Sequence, residues 1–478
     1  MNMTDEAINT NAFPKNALEQ AAIAAKIKPS SYLARRLDLR GKTVLAFGDS
    51  KNGASEYTIS LYRTPQGWQL GIHTADVAEY VCEGSPLDNE ARKRRASVRN
   101  EFIQTDMLPE SITQDICNLS VGGDKLALSV LLDIDKDGEL ISIQFEESVL
   151  RVAERCIFEE IDQYGLALDT SSVLALREKY MPYTSILADM YELAAMFYRK
   201  RLQRGALDCP VFRREFKRDE NGNPISFELK AEPDARAMVR EIGYYAAEAI
   251  GNYMYSHGLP CIFVGQEGID EHATEYLCRI LGMDDENCPC HFKSSEIIRR
   301  AKGSPYYDFV CEALHHGLPC PEYSVQPIYN IHCASDKVVS FVRPASRYAD
   351  LLAQRALKTS IAAAGNPNNI NLNRHRALIQ AAAEEANASE KHIYAEKTSH
   401  HALAAAKFIE QKTDDIFEGF PLLRSDCGDI PVLLYCGAKA IIPGELADGY
   451  EFSAGTPDNF RILALATENE LIKVAPIK

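Results

Sequence analysis

Between Thr43 and Phe145 the chain alternates short apolar runs with turns, and this succession constrains the fold more than any other feature. The runs are Thr43–Phe47, Tyr57–Arg63, Gln69–His73, Lys125–Ile134 and Leu140–Phe145. Runs of this length and alternation bury one face of a sheet. Gly67 and Gly138 stand where hairpin turns are expected. The period then changes. Ala237, Ile242, Tyr245, Ala246, Ala249, Ile250 and Tyr253 recur at close to 3.6 residues, which predicts a helix over Arg236–His257, stopped by Gly258-Leu259-Pro260. A shorter helix is expected near Ala17–Lys28. Ile379–Gln411 is rich in Ala and Glu and reads as one long helix or two, set off by the loop Ala364–Asn371. Pro431–Cys436, Ala438–Ile442, Phe460–Ala466 and Leu471–Val474 look like the strands of a small β-domain. Sheet and helices occupy separate stretches, so the fold class is α+β.

With 478 residues the chain is long enough for two or more domains. No apolar run approaches the roughly 18 residues of a membrane span, and the N-terminus lacks the basic-then-apolar order of a signal peptide. The 13 cysteines are scattered, which fits reduced thiols and a cytoplasmic protein without a membrane. A net charge of −16 argues against broad adhesion to nucleic acid, yet leaves room for a basic groove inside an acidic exterior.

Local motifs offer little ready-made chemistry. Asp133–Gly138 imitates the start of a calcium loop, but Gln144 falls where a bidentate Glu is required, so a hairpin turn is expected. Cys288, Cys290 and His291 form a dense metal-like cluster. Zinc would need a fourth ligand, from Cys311, Cys320, His315, His316, His332 or Cys333, and the paired spacing of a zinc ribbon is absent. No metal and no cofactor is expected. Arg92, Lys93, Arg94, Arg95 and Arg99 form a basic run, which ordinarily reads as a solvated face.

The ordered strings IHTADVAEYV, SPLDNEAR, MLP, RGALD and RPASRYADLLAQRALK resemble the catalytic domain of the ribonuclease II and ribonuclease R family. The resemblance implies an RNB-type fold, a mixed sheet packed with helices, followed by a small OB-like β-barrel. It divides the chain into an extension over 1–36, an RNB-like domain over 37–413 and a C-terminal β-domain over 414–478. The family carries metal-binding aspartates in the turn between two strands, spaced as Asp, five residues, Asp, one residue, Asp-Asp. Laid on this chain, those positions are Gly48, Ala54, Glu56 and Tyr57, and a slip of one residue recovers only Asp49. Magnesium is held by carboxylates and its own waters, and phosphodiester cleavage with two metals needs several acids converging on one small volume. The Arg that stabilises the cleaved phosphate in the family falls on Ser346, with Arg343 nearby. The aromatic that clamps the terminal base falls on Arg99, which can also stack on a base.

The resemblance therefore implies a protein that binds single-stranded RNA or an RNA 3′ end, or a protein partner, without metal-dependent cleavage. Its RNA-binding candidates are Arg94, Arg95, Arg99, Arg343, Arg347, Tyr348 and Arg355. Arg347, Asp350 and Arg355 read equally well as a structural ion-pair set at a helix start. A second reading is metal-free chemistry on a tRNA 3′ end, such as acyl transfer or hydrolysis. Glu56 would be the general base, with Ser55, Tyr57 and Ser346 supplying polar groups. A third is residual 3′→5′ exoribonuclease activity through Glu56, Asp49 and Arg343.

Overall fold

The computed structural model describes residues 12–49, 55, 57–99, 104–165, 171–268, 277–278, 280–282, 294–362, 373–422, 428–452, 456–466 and 471–477. The chain divides into two compact units. The first comprises Met1–Ala206, Pro233–Gly265 and Pro321–Glu390; the second comprises Leu207–Glu232, Gln266–Cys320 and Lys391–Lys478.

The first unit is built on a sheet of seven strands. They are β1 (Leu37–Asp38), β2 (Leu45–Gly48), β3 (Tyr57–Thr64), β4 (Gly67–Ala75), β7 (Asp124–Asp135), β8 (Leu140–Arg151) and β9 (Glu154–Ile157), in the order β1-β8-β7-β4-β3-β2-β9. Two short pairs lie outside it: β5 (Val98–Arg99) with β6 (Gln104–Thr105), and β12 (Phe263–Gly265) with β13 (Glu322–Ser324). The expected hairpins are present at Gly67 and Gly138. In the second, Asp135 accepts the backbone N–H of Asp137 and Glu139, and Gly138 takes a φ of 78°. The calcium-like string is thus a two-strand turn. Strand β8 runs on to Arg151, past the expected end at Phe145, because its register with β7 continues to Asp124. The short strand β9 closes the sheet by pairing parallel to β2.

Apolar side chains on β3, β4 and β7, among them Ile59, Leu70, Ile72, Val130 and Leu132, form a buried cluster with Leu187, Met190, Leu193, Ile242 and Ile250. The last five lie on the helices Thr184–Gln203 and Asp234–Ser256. The second of these helices matches the 3.6-residue pattern. Its first turn is capped from a distance, since the Asp162 carboxylate accepts the N–H of both Asp234 and Ala235 at 2.9 Å. A second cluster joins Leu126, Ala127, Val149 and Leu150 to Leu87, Leu108, Leu351 and Leu352.

Two polar constructions are built into this unit, the first buried and the second partly so. His73 accepts or donates at both ring nitrogens, to Ser60 at 2.9 Å and Ser129 at 2.7 Å, and Ser129 bonds Ser148 at 2.7 Å. Burial lowers the His73 pKa to about 3, so the ring is neutral. Asp76, Glu79 and Glu147 bring carboxylate oxygens within 4.8 Å of one another. That triad is filled by protein cations. Lys358 Nζ lies 2.7 Å from Asp76, 2.8 Å from Glu79 and 2.7 Å from Glu147, and Arg36 pairs with Asp76 at 2.7 Å.

The second unit contains the strand pair β10 (Phe212–Arg218) and β11 (Pro224–Ala231). It also contains a closed barrel of β14 (Ile416–Pro421), β15 (Ile430–Leu434), β16 (Lys439–Ile442), β17 (Asp458–Ala466) and β18 (Leu471–Pro476). The barrel interior, with Val432, Leu434, Ile442, Phe460 and Val474, packs against Phe408 and Ile409. These lie on the helix Asn373–Glu410, one continuous helix of 38 residues. Among the described residues no helix is long and apolar enough to cross a membrane. The loop 364–371 and the cluster Cys288, Cys290 and His291 lie outside the described residues.

Candidate functional site

The end of β2 is where the family resemblance puts the first metal-binding acid, and Gly48 occupies it. The space that a side chain would fill there holds a cation. Strand β9 lies parallel to β2 with Arg155 opposite Ala46, and its guanidinium turns across Gly48. A Cβ on Gly48 would lie 3.2 Å from Arg155 Cζ and 3.7 Å from Nε. Arg155 Nη1 donates to Ser55 Oγ at 2.7 Å. Ser55 is itself buried and fixed at both backbone ends: its N–H donates to Asn118 Oδ1 at 3.0 Å, and its carbonyl accepts from Leu119 N–H at 2.8 Å. Burial lowers the Arg155 pKa from its ordinary value, the signature of a guanidinium partly removed from water.

Asp49, the acid recovered by a one-residue slip, is ion-paired with Arg236. The Arg236 guanidinium also lies 4.7 Å over the ring of Phe158, which packs against Phe47 with ring centroids 6.4 Å apart. Tyr57 begins β3. Burial raises its pKa, and the positive charge of Arg343 opposes that shift, so the phenol stays protonated within the field of an arginine. Glu56 lies outside the described residues.

Tested against a divalent cation, the described residues do not fit. Gly48 has no side-chain ligand atom, Asp49 is neutralised, Tyr57 carries a protonated phenol, and the volume beside Gly48 is taken by a positive charge. A metal needs deprotonated oxygen donors in that volume.

The loop that follows Phe341 is held by its own chemistry. Asp350 is fully buried. It accepts from Ser340 Oγ, from the Arg343 N–H at 2.8 Å and from Arg347 Nη2 at 3.2 Å. Ser346 contributes backbone: its carbonyl accepts from Ser97 N–H at 2.8 Å, and its N–H bonds the Arg343 carbonyl at 3.0 Å. Arg355 and Tyr348 both converge on Asp88, at 2.8 and 3.0 Å, and are buried. Their side chains tie the SPLDNEAR helix to the helix Tyr348–Ala362. Arg343 is exposed.

In the basic run, Arg94 pairs with Glu90 at 2.7 Å and stacks 3.8 Å over Phe13. Arg95 is exposed with a φ of 68°, and its carbonyl accepts from Tyr348 N–H at 2.8 Å. Arg99 pairs with Gln104 through the β5–β6 backbone, and its side chain lies outside the described set. The structure thus groups Ser55 with Arg155 and puts Tyr57 within the field of Arg343. Arg155 and Arg236 were not among the residues read from the sequence. No local motif marks either one.

A profile of the RNB domain matches residues 36–363. Ribonuclease R 1 of Lactococcus lactis is 25% identical over 414 residues, which are 85% of this chain and 50% of that protein. The chain spans about half the length of the curated relatives it matches. The structure of Mycoplasma genitalium RNase R in complex with ribose methylated single-stranded RNA is similar with a TM-score of 0.79 at 16% identity, over 98% of this chain and 76% of that one. Yeast Ssd1, described as a pseudonuclease, is similar with a TM-score of 0.64 at 18% identity, over 87% of this chain and 51% of that one. These likenesses show the fold, with its mixed sheet, packed helices and closed barrel.

Proposed function

Since the chain belongs to the RNB domain family, we propose that it binds single-stranded RNA by a 3′ end in the cytoplasm and does not hydrolyse it with metal ions. The observation that carries this reading is the arginine across Gly48. The family's chemistry needs converging acids at that point, and here a guanidinium fills the space. The RNA complex of the Mycoplasma enzyme supports the binding half of the reading, and yeast Ssd1 supports the loss of cleavage on this fold.

The test is incubation with labelled single-stranded RNA plus Mg²⁺ or Mn²⁺, followed by native and denaturing gels. A mobility shift of intact RNA is expected. A ladder shortening from the 3′ end would overturn the proposal in favour of a residual exoribonuclease. The same incubation with charged tRNA addresses acyl transfer or hydrolysis, for which Glu56 would supply the base; deacylation or label transfer would favour that chemistry. A protein that shifts no RNA would leave the protein-partner reading.

A further inference from the structure

We propose that Cys209 and Cys311 form an oxidative modification site, in which a hydroperoxide converts the pair to a reversible disulfide that ties the segment ahead of β10 to the helix Tyr307–His316.

Both cysteines belong to the second unit. They are 102 residues apart in sequence, yet Cys209 Sγ lies 3.8 Å from the Cys311 carbonyl oxygen, and its thiol also hydrogen-bonds the Cys311 sulfur. The packing that brings them together is continuous. Cys209, Phe212 and Arg214 follow one another along the chain, and Cys311, Tyr307 and Glu312 share one helix. Phe212 meets Tyr307 edge to face with ring centroids 6.3 Å apart, and Arg214 pairs with Glu312 at 2.6 Å. The thiol contact is part of this helix–strand interface. Elsewhere on the same helix Phe309 stacks on Phe420 at 5.4 Å and on Tyr435 at 5.2 Å, which anchors the helix to the barrel.

The two thiols differ in the way a disulfide-forming pair requires. Cys209 is partly exposed and stands outside any strand, where a small oxidant reaches it. Cys311 is buried. Hydrogen bonds from Cys209 and from the Tyr307 hydroxyl, one helical turn earlier, hold its thiol below the ordinary value against burial and the charges of Asp308 and Asp208. Burial pushes the thiols of Cys156, Cys261 and Cys333 the other way, up to about 12. The thiolate is the nucleophilic form, so Cys311 is set apart from these buried cysteines as the sulfur able to attack.

The chemistry balances with the peroxide alone. The Cys209 thiolate attacks one oxygen of hydrogen peroxide, the O–O bond breaks, and a sulfenic acid and hydroxide result. The Cys311 thiolate then attacks the Cys209 sulfur, forming the S–S bond and expelling a second hydroxide. The two thiol protons neutralise the two hydroxides. Two electrons pass from sulfur to peroxide, and the products are one disulfide and two waters.

The experiment treats the reduced full chain with a few equivalents of hydrogen peroxide, quenches with catalase, blocks the remaining thiols with N-ethylmaleimide in denaturant, and maps the unreduced digest by mass spectrometry. A peptide pair linked through Cys209 and Cys311 is expected, and dithiothreitol should return both cysteines to the alkylatable form. The melting temperature of the oxidised protein should rise by about 4 °C or more, because the crosslink restricts the unfolded chain over a long loop. Cys209→Ser should abolish the linked peptide and remove the peroxide response of the melting temperature. Its partly exposed position keeps the test open even where Cys311→Ser fails to fold. Cys209 recovered as sulfinic or sulfonic acid with Cys311 still alkylatable would overturn the inference, as would both thiols remaining alkylatable while other cysteines are oxidised.

Discussion

The Asp49 carboxylate and the Arg236 guanidinium form an ion pair at the end of the strand whose family resemblance calls for metal-binding acids. The two partners differ in what else they do. Asp49 is largely exposed, with 60% of its side chain accessible, whereas Arg236 is 22% accessible and stacks on Phe158. Exposed pairs contribute up to about 1 kcal/mol, so Asp49→Asn should cost less than that in urea denaturation. Arg236→Ala should cost more, by about a further 1 kcal/mol for the lost cation–π contact and packing. Equal costs would show that the ring contact contributes nothing.

His73 gives the first unit an acid-side weakness. Its pKa is lowered by burial from the ordinary 6.5 to about 3. Below pH 6.5 the unfolded chain takes up a proton that the folded chain refuses. Stability from this group is therefore complete above 6.5 and declines as pH falls towards 3. His73→Gln should flatten that slope in denaturation measured from pH 7 down to pH 5. A slope unchanged by the substitution would assign the pH dependence to other groups.

Glu312, buried in the second unit, has the opposite sign. Burial pushes its pKa from 4.5 up to about 7, against the pull of Arg214 at 2.6 Å and with help from Asp308. The folded state holds a proton that the unfolded state has released. Stability from this group is therefore full below 4.5 and falls as pH rises through 7. Glu312→Gln should lessen the loss between pH 5 and 7.5, read on the same denaturation curves.

Lys358 predicts a rescue. Removing its ammonium by Lys358→Ala leaves Asp76, Glu79 and Glu147 facing Arg36 alone. Breaking a fully buried ion pair costs about 3–5 kcal/mol, and less here because Glu79 and Glu147 keep 24% and 32% of their side chains accessible. The freed oxygens, within 4.8 Å of one another, suit a hard divalent cation. Thermal melting of the variant should rise on adding Ca²⁺ or Mn²⁺, while wild type should not respond.

Asp88 separates structure from RNA contact. Arg355 and Tyr348 both end on it in the interior. Arg355→Ala should cost about 3–5 kcal/mol of stability by leaving Asp88 uncompensated, and Tyr348→Phe about 1 kcal/mol. Neither should change the salt slope of RNA binding, because neither side chain is open to solvent. A reduced slope would return them to the RNA-facing set.

Much of the sheet was legible because β3, β4, β7 and β8 pair with their sequence neighbours and keep a two-residue period. Strand β9 was not, being four residues long and held by a parallel partner far back in the chain. The first barrel strand, IFEGFP, was hidden by Gly419 and Pro421, residues that read as a turn. Gly419 is required there because Leu434 and the Leu433 carbonyl leave no room for a side chain without displacement. At the site, the gap left by Gly48 could be read from the aligned motif. What fills it could not, since Arg155 meets Ser55 across 100 residues of sequence. Likewise the RPASRYADLLAQR string showed which residues match the family, while the inward turn of Tyr348 depends on Asp88, 260 residues earlier.

Arg36 lies just ahead of the first strand and yet is one of the two cations in the Asp76, Glu79 and Glu147 cluster. A chain trimmed to begin at Leu37 would retain every strand of the sheet and still leave a lone ammonium facing three carboxylates. Where a stable fragment of this protein can begin is therefore constrained by an ion cluster as well as by where its β-structure starts.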